Sequence, residues 1–329
     1  MHFGLEDHQE HLVATARQWV DQRWARADLE SVDERCRLWL ELEANGWPTM
    51  LGLGADAASV LDAVVTVEAL ARGGCSLALV PAMVSTLIGT GTSTDSNVTS
   101  EGLSRPLLVI DGTSPAEPVA RGLEVAQEIL VARSTTEASP GSERSWQIAI
   151  VGAEEKAVEV VQDENPLLLC GISESARSGA EWRDADPEIV EKAWRIGAVL
   201  SAAELVGVAQ SVVDMCASYA KDRIQGGKPI GAHQAIQHRL ADMLGYVERC
   251  RYLCYAAAQV VEDGATTEVH QAKALAARDC LTTIRSGHQV LGAIGFSAEH
   301  GLPHLHKQAL VAAHEFGSAS WHWAALETD

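Results

Sequence analysis

Arg223 and Gln225 stand two residues apart in the stretch YAKDRIQGGKPIGAHQAIQHRLADM, directly before Gly226, Gly227, Pro229 and Gly231. The stretch reads as the end of one helix, a tight loop and the start of another. A guanidinium is a charged, forked donor for phosphate oxygens, and glycines let backbone N–H groups approach a diphosphate. The pattern suits a loop whose backbone approaches an anion that Arg223 clamps. The plainer reading is that Arg223 caps a helix C-terminus while the glycines only turn the chain.

Other chemistry-bearing residues lead nowhere definite. GLGADA, with Gly52, Gly54, Ala57 and Glu68 downstream, fits GxGxxA. That fingerprint needs a strand before it, and a helix ending at Gly46 leaves only WPTML. Among twelve histidines there is no ExxH or HExxH. His304 and His306 point to different sides of a helix, and Cys250 and Cys254 share an apolar stripe, so no metal site is expected. The seven cysteines form no CxxC and read as buried thiols of a reducing cytoplasm.

The 45 acidic and 25 basic residues give a formal charge of −20, which disfavours nucleic acid and anionic membrane as partners. The N-terminus lacks a signal peptide pattern and no uninterrupted apolar run suits a membrane span, so a soluble intracellular protein is expected.

The elements that must position Arg223 fall in three regions: helical (1–100), a small β-domain (101–185) and a C-terminal four-helix bundle (186–329). In the first, Leu5, Leu12, Ala16, Trp19 and Val20 share a helical stripe, and helices stop at Asn45-Gly46 and Gly73-Gly74. GTGTSTDSNVTSEG reads as a loop. In the middle, RPLLVIDG, LEVAQEILVARS, SWQIAIVG and PLLLCGIS are short apolar runs that predict strands of one small sheet. Asp186-Pro187 then starts a long helix. The next carries Ile236, Leu240, Met243, Val247, Cys250, Cys254 and Ala257 on one face. A third spans TTEVHQAKALAARDCLTTIRSGHQVL and a fourth LPHLHKQALVAAHEFGSASWHWAALE. The fold class is mainly α with a small β-domain.

The opening stretch resembles the R-x-Q-F-G segment of the acyl-CoA dehydrogenases. AAELVGVAQ upstream, and HQVLGAIGFSAEHGLPHLHKQAL, similar to the family's Q-x-x-G-G-x-G-[FY] loop, extend the resemblance. LWLELEANGWPTMLGL and VVTVEALARGG resemble its N-terminal helical domain. The resemblance implies an α-domain, a reduced β-domain and a four-helix bundle. It also implies that Arg223, Gln225, Gln289 and Gly292 reach across a subunit interface to the FAD of a neighbour.

The departures are equally specific. The family's reaction uses a carboxylate to remove an α-proton while flavin accepts the β-hydride. In many members the base is the Glu of an E-G-[ST] turn, which here reads Phe316-Gly317-Ser318. Glu315 is adjacent, but one residue along a helix turns a side chain by ~100°. A second lineage keeps its base in the first bundle helix, where this chain has Arg195-Ile196-Gly197-Ala198. Glu204 lies in the same helix, in an A-A-E-x-x-G setting common in relatives whose base is elsewhere. No T-E-x-x-x-G-S-D segment is found, nor the usual E-x-x-G-G run. Gly226, His233 and Ala293 replace family residues at the interface loops.

No catalytic residue is therefore assigned. The chain resembles the non-catalytic subunit of actinobacterial α2β2 dehydrogenases acting on CoA thioesters of steroid side chains. The resemblance implies a homologous catalytic partner that binds most of the acyl-CoA. Two other readings stand beside it: a homomeric dehydrogenase using Glu204 or Glu315 as base, and a flavin-free scaffold.

Overall fold

The structure, a computed structural model, describes residues 4–29, 31–52, 57–92, 107–110, 120–121, 128–134, 145–152, 158–164 and 167–328. Residues 53–56 of GLGADA and 93–102 of the expected loop lie outside these.

Four helices open the chain: α1 (Asp7–Gln22), α2 (Val32–Ala44), α3 (Val60–Arg72) and α4 (Leu79–Thr92). Ser31 caps α2, and Ser59 with Asp62 forms a reciprocal capping box on α3. Gly46 follows the Asn45 cap of α2 with φ 72°, as a helix stop requires. α4 is buried over most of its length, so it has no polar face for periodicity to reveal. Its last turn occupies residues 89–92, which the sequence suggested as loop.

Seven strands lie in the described part of the middle region, where four apolar runs had predicted one sheet. β1 (Leu107–Ile110), β3 (Glu128–Ser134), β4 (Trp146–Gly152) and β7 (Arg183–Ala185) form one sheet, with β1 parallel to β3 and the remaining pairs antiparallel. β2 (Ala120–Arg121), β6 (Leu167–Ile172) and β5 (Val158–Glu164) form another, in that spatial order. β2 and β7 are too short, and VEVVQDE in β5 too acidic, to stand out as apolar runs. A short helix, α5 (Glu174–Gly179), leads to β7.

The bundle is built on α6 (Pro187–Asp222), capped by an Asp186 carboxylate that accepts from the Glu188 N–H at 2.9 Å. By length and hydropathy α6 could cross a membrane, but 94% of its most apolar window is buried in the protein. Gly207 makes the approach of α3 possible, since a Cβ there would fall 2.3 Å from the Glu68 carbonyl oxygen. Arg251 fastens the same contact, donating to Glu68 at 2.7 Å and Gln210 at 2.9 Å.

α6 leads through a two-strand hairpin, β8 (Ile224–Gln225) and β9 (Lys228–Pro229), into α7 (Gln234–Val260), then α8 (Thr267–Leu291). The expected fourth helix is two: α9 (Leu302–His314) and α10 (Ala319–Thr328). They part at Glu315, whose backbone is extended (φ −59°, ψ 136°), and at Phe316 and Gly317, with φ of 55° and 96°. A phenylalanine at positive φ is strained by about 1 kcal/mol or more, so surrounding contacts must hold it.

Candidate functional site

Arg223, Gln225, Gln289 and Gly292 all lie at one end of the bundle. α6 and α8 run parallel there, with Gly287 packed against Val212 and Cys216. Arg223 is the C-cap of α6; its N–H donates to the Tyr219 carbonyl at 2.9 Å, and its own carbonyl accepts from Ile230 N–H at 2.8 Å. The backbone is thereby fixed while the side chain is exposed. Gly226 and Gly227, with φ of 62° and 78°, make the left-handed two-residue turn that a tight hairpin needs.

Gly292 caps α8 with φ 64° and ψ −139°, a conformation open essentially to glycine alone. Its N–H donates to the His288 carbonyl, which ties the loop to the helix end. Gln289 is exposed, and a Cβ at Gly226, Gly227 or Gly292 would meet nothing within 4 Å. These features make an outward-facing set of one guanidinium, two amides and open backbone. Such a set fits a phosphate-bearing ligand held from outside this chain.

The two positions where the resemblance places a base meet in space. A Cβ on Gly197 would fall 2.6 Å from the Phe316 ring. Thus the 195–198 segment of α6 and the 316–318 turn face one spot, which the phenyl ring fills. Val84, Ile88, Ala132, Trp146 and Trp194 close around Phe316, leaving no room for a water-sized guest. Two histidines hold the turn: His322 Nε2 donates to the Phe316 carbonyl at 2.9 Å, and the Nδ1 atoms of His270 and His322 are 2.8 Å apart. A carbonyl only accepts, so His322 carries a proton on Nε2, and of the two facing Nδ1 atoms one donates to the other.

Glu204 and Glu315 do not reach that spot as free carboxylates. Arg121, only 1% exposed, donates to Glu204 at 2.5 and 2.8 Å and to Glu315 at 2.8 and 3.2 Å. The expectation for Glu315 assumed an unbroken helix; the extended backbone there turns it inward instead. Gln308 Nε2 donates to Glu204 at 2.9 Å and to the Cys75 carbonyl at 2.7 Å. N-terminal helices, β2 and the bundle thus converge on one buried polar node. Burial opposes the Arg121 cation, but the two carboxylates hold its pKa above the ordinary guanidinium value. Sequence reasoning missed Arg121, which sits in a two-residue strand with no pattern around it.

Lys273 lies beside this node, fully buried and donating to the Ala312 carbonyl. Burial depresses its pKa to about 7, against the pull of Glu315 and Glu204. The unfolded chain keeps this lysine protonated up to a pKa of about 10.4, so between the two values unfolding takes up a proton and stability rises with pH. Buried thiols act oppositely: burial pushes Cys75 and Cys216 up to about 12, so stability falls once unfolded thiols ionise. Between pH 7 and 9, urea midpoints should therefore rise more steeply in the native chain than in Lys273→Met. The difference should reach at most about 1.4 kcal/mol per pH unit.

The histidines and thiols weighed for metal lie elsewhere. His306 Nδ1 is 3.1 Å from His288 Nε2, and Cys250 and Cys254 are core residues. Among the described residues no three His, Cys, Asp or Glu side chains come together as a metal site.

Residues 188–326, the bundle, match the family described as "Acyl-CoA dehydrogenase, C-terminal domain". Acyl-CoA dehydrogenase IpdE2 of Mycobacterium tuberculosis is 39% identical over 129 residues, 38% of this chain and 37% of that protein. The matches span less than half the length of such curated relatives. "PigA with FAD and proline" superposes with a TM-score of 0.78 at 16% identity, covering 100% of this chain and 98% of the other. A variant of the Tcur3481-Tcur3483 steroid ACAD gives 0.75 at 20%, covering 98% and 97%. The described residues have the mainly α, acyl-CoA dehydrogenase-like fold.

Proposed function

We propose that this chain is a subunit of a flavin-dependent acyl-CoA dehydrogenase complex and completes the FAD site of a homologous catalytic partner. The carrying observation is an asymmetry. Phe316 fills the spot where both base positions meet, and Arg121 engages Glu204 and Glu315. Meanwhile Arg223, Gln225, Gln289 and Gly292 face outward. FAD, seated in the partner, supplies the hydride acceptor for α,β-desaturation of the thioester. In this chain Arg223 holds the diphosphate, Gln225 and Gln289 orient the nucleotide by hydrogen bonds, and Gly292 admits close backbone contact. The base and most of the acyl-CoA site belong to the partner. The resemblance to heterotetrameric α2β2 enzymes, and the steroid ACAD among the structural neighbours, favour a steroid side-chain CoA ester as substrate. Six free cysteines among the described residues support a cytoplasmic setting.

The test is purification alone and after co-expression with a homologous subunit carrying the E-G-[ST] glutamate. Flavin absorbance and acyl-CoA oxidation are read in each sample. We expect a colourless, inactive chain alone and a yellow, active complex. A yellow, active protein on its own would transfer the base role to Glu204 or Glu315. A colourless, inactive complex would leave the flavin-free scaffold.

A further inference from the structure

Among the described residues, two of the three most exposed large apolar side chains sit on the loops that carry the candidate flavin contacts. Phe296 is 69% and Ile224 62% exposed; Leu40, on α2, is 61%. Ile224 lies between Arg223 and Gln225. Phe296 follows Gly292 by four residues, and Ile294 between them is 45% exposed. Isolated apolar residues on a surface need no explanation. Here, however, they stand on backbone whose conformation is fixed by left-handed glycines and by capping hydrogen bonds. Rigid apolar side chains lose little entropy when covered.

The charge around them is also distinctive. Between residues 221 and 242, four exposed cations, Lys221, Arg223, Lys228 and Arg239, stand against two acids, Asp222 and Asp242, in a chain of net charge −20. The 221–242 stretch is thus net basic and the two loops carry apolar tips, which fits a protein surface that presents an anion within an apolar rim.

We infer that Ile224 and Phe296 are the anchors by which this chain seats on the flavin-bearing partner subunit, with Ile294 beside them. The inference rests on the proposed role of the Arg223 and Gln289 loops and adds the source of affinity. Arginine and the amides orient a diphosphate, whereas the two apolar side chains supply the desolvated contact that keeps the subunits together. Buried aromatic and aliphatic anchors commonly dominate such contacts.

The experiment is the double variant Ile224→Ser/Phe296→Ser, co-expressed with the homologous subunit that carries the E-G-[ST] glutamate. Subunit association is measured by analytical ultracentrifugation and flavin content by absorbance. Both side chains are exposed, so thermal unfolding of the isolated chain should not change. We expect association at least tenfold weaker than wild type, with flavin lost in parallel, while Leu40→Ser leaves both readings unchanged. An intact, yellow complex from the double variant overturns the anchor assignment and leaves the flavin-site reading standing. Equal weakening by Leu40→Ser also overturns it. A wild-type chain that forms no complex with the partner overturns both.

Discussion

Arg121→Met should lower folding stability by about 3–5 kcal/mol, the range for breaking a buried ion pair from one side. The size follows from what is left behind. Glu204 and Glu315 have side chains only 5% and 13% exposed, and each loses its guanidinium. Gln308 still donates to Glu204, and Lys273 lies beside the node, but neither replaces the four hydrogen bonds that the guanidinium gave the two carboxylates. The penalty belongs to the orphaned charges, so removing them should return much of it. Arg121→Met with Glu204→Gln and Glu315→Gln is accordingly expected to recover more than half of the loss. Urea unfolding of the single, double and triple variants decides this. Because the three side chains touch, the changes should be strongly non-additive. A small, additive effect would mean that water already reaches the node.

Arg223→Ala should strip flavin from the assembled complex while leaving the fold of this chain intact. The side chain is exposed, and backbone hydrogen bonds of residue 223 to Tyr219 and Ile230 survive the change. A charged hydrogen bond is worth about 1.5–3 kcal/mol, which corresponds to about 10–150-fold weaker flavin binding. Titration of FAD into the deflavinated complex reads this directly. Arg223→Lys should recover only part, because a point ammonium lacks the fork. Undiminished flavin affinity in Arg223→Ala would remove this residue from the site.

The bundle helices and their polar starts were legible because their apolar faces repeat at helical spacing and Asp186-Pro187 marks an onset. The exposed loops were legible because glycine in a tight turn is a local requirement. The buried centre was not. LPHLHKQALVAAHEFGSASWHW keeps a helical pattern through residue 316, so the break appears only as Gly317, a weak mark inside apolar sequence. The orientation of Glu315 depends on that break. Arg121 depends on tertiary structure entirely: its two partners lie 83 and 194 residues away in the chain. α4 was missed for the opposite reason, since a helix buried on nearly every side has no alternation to detect.

The contact of Phe316 with Gly197 works as a ratchet on sequence change. A carboxylate introduced at 197 would collide at its first side-chain atom with the ring 2.6 Å away. One introduced at 316 would place a third acid next to Glu315, whose guanidinium partner is already shared with Glu204. Neither step alone yields a free base in an open site, so, if the proposed function holds, a return to independent catalysis needs coordinated substitutions. Under the proposed function, a lineage that has made this contact is tied to whichever subunit still holds the acid.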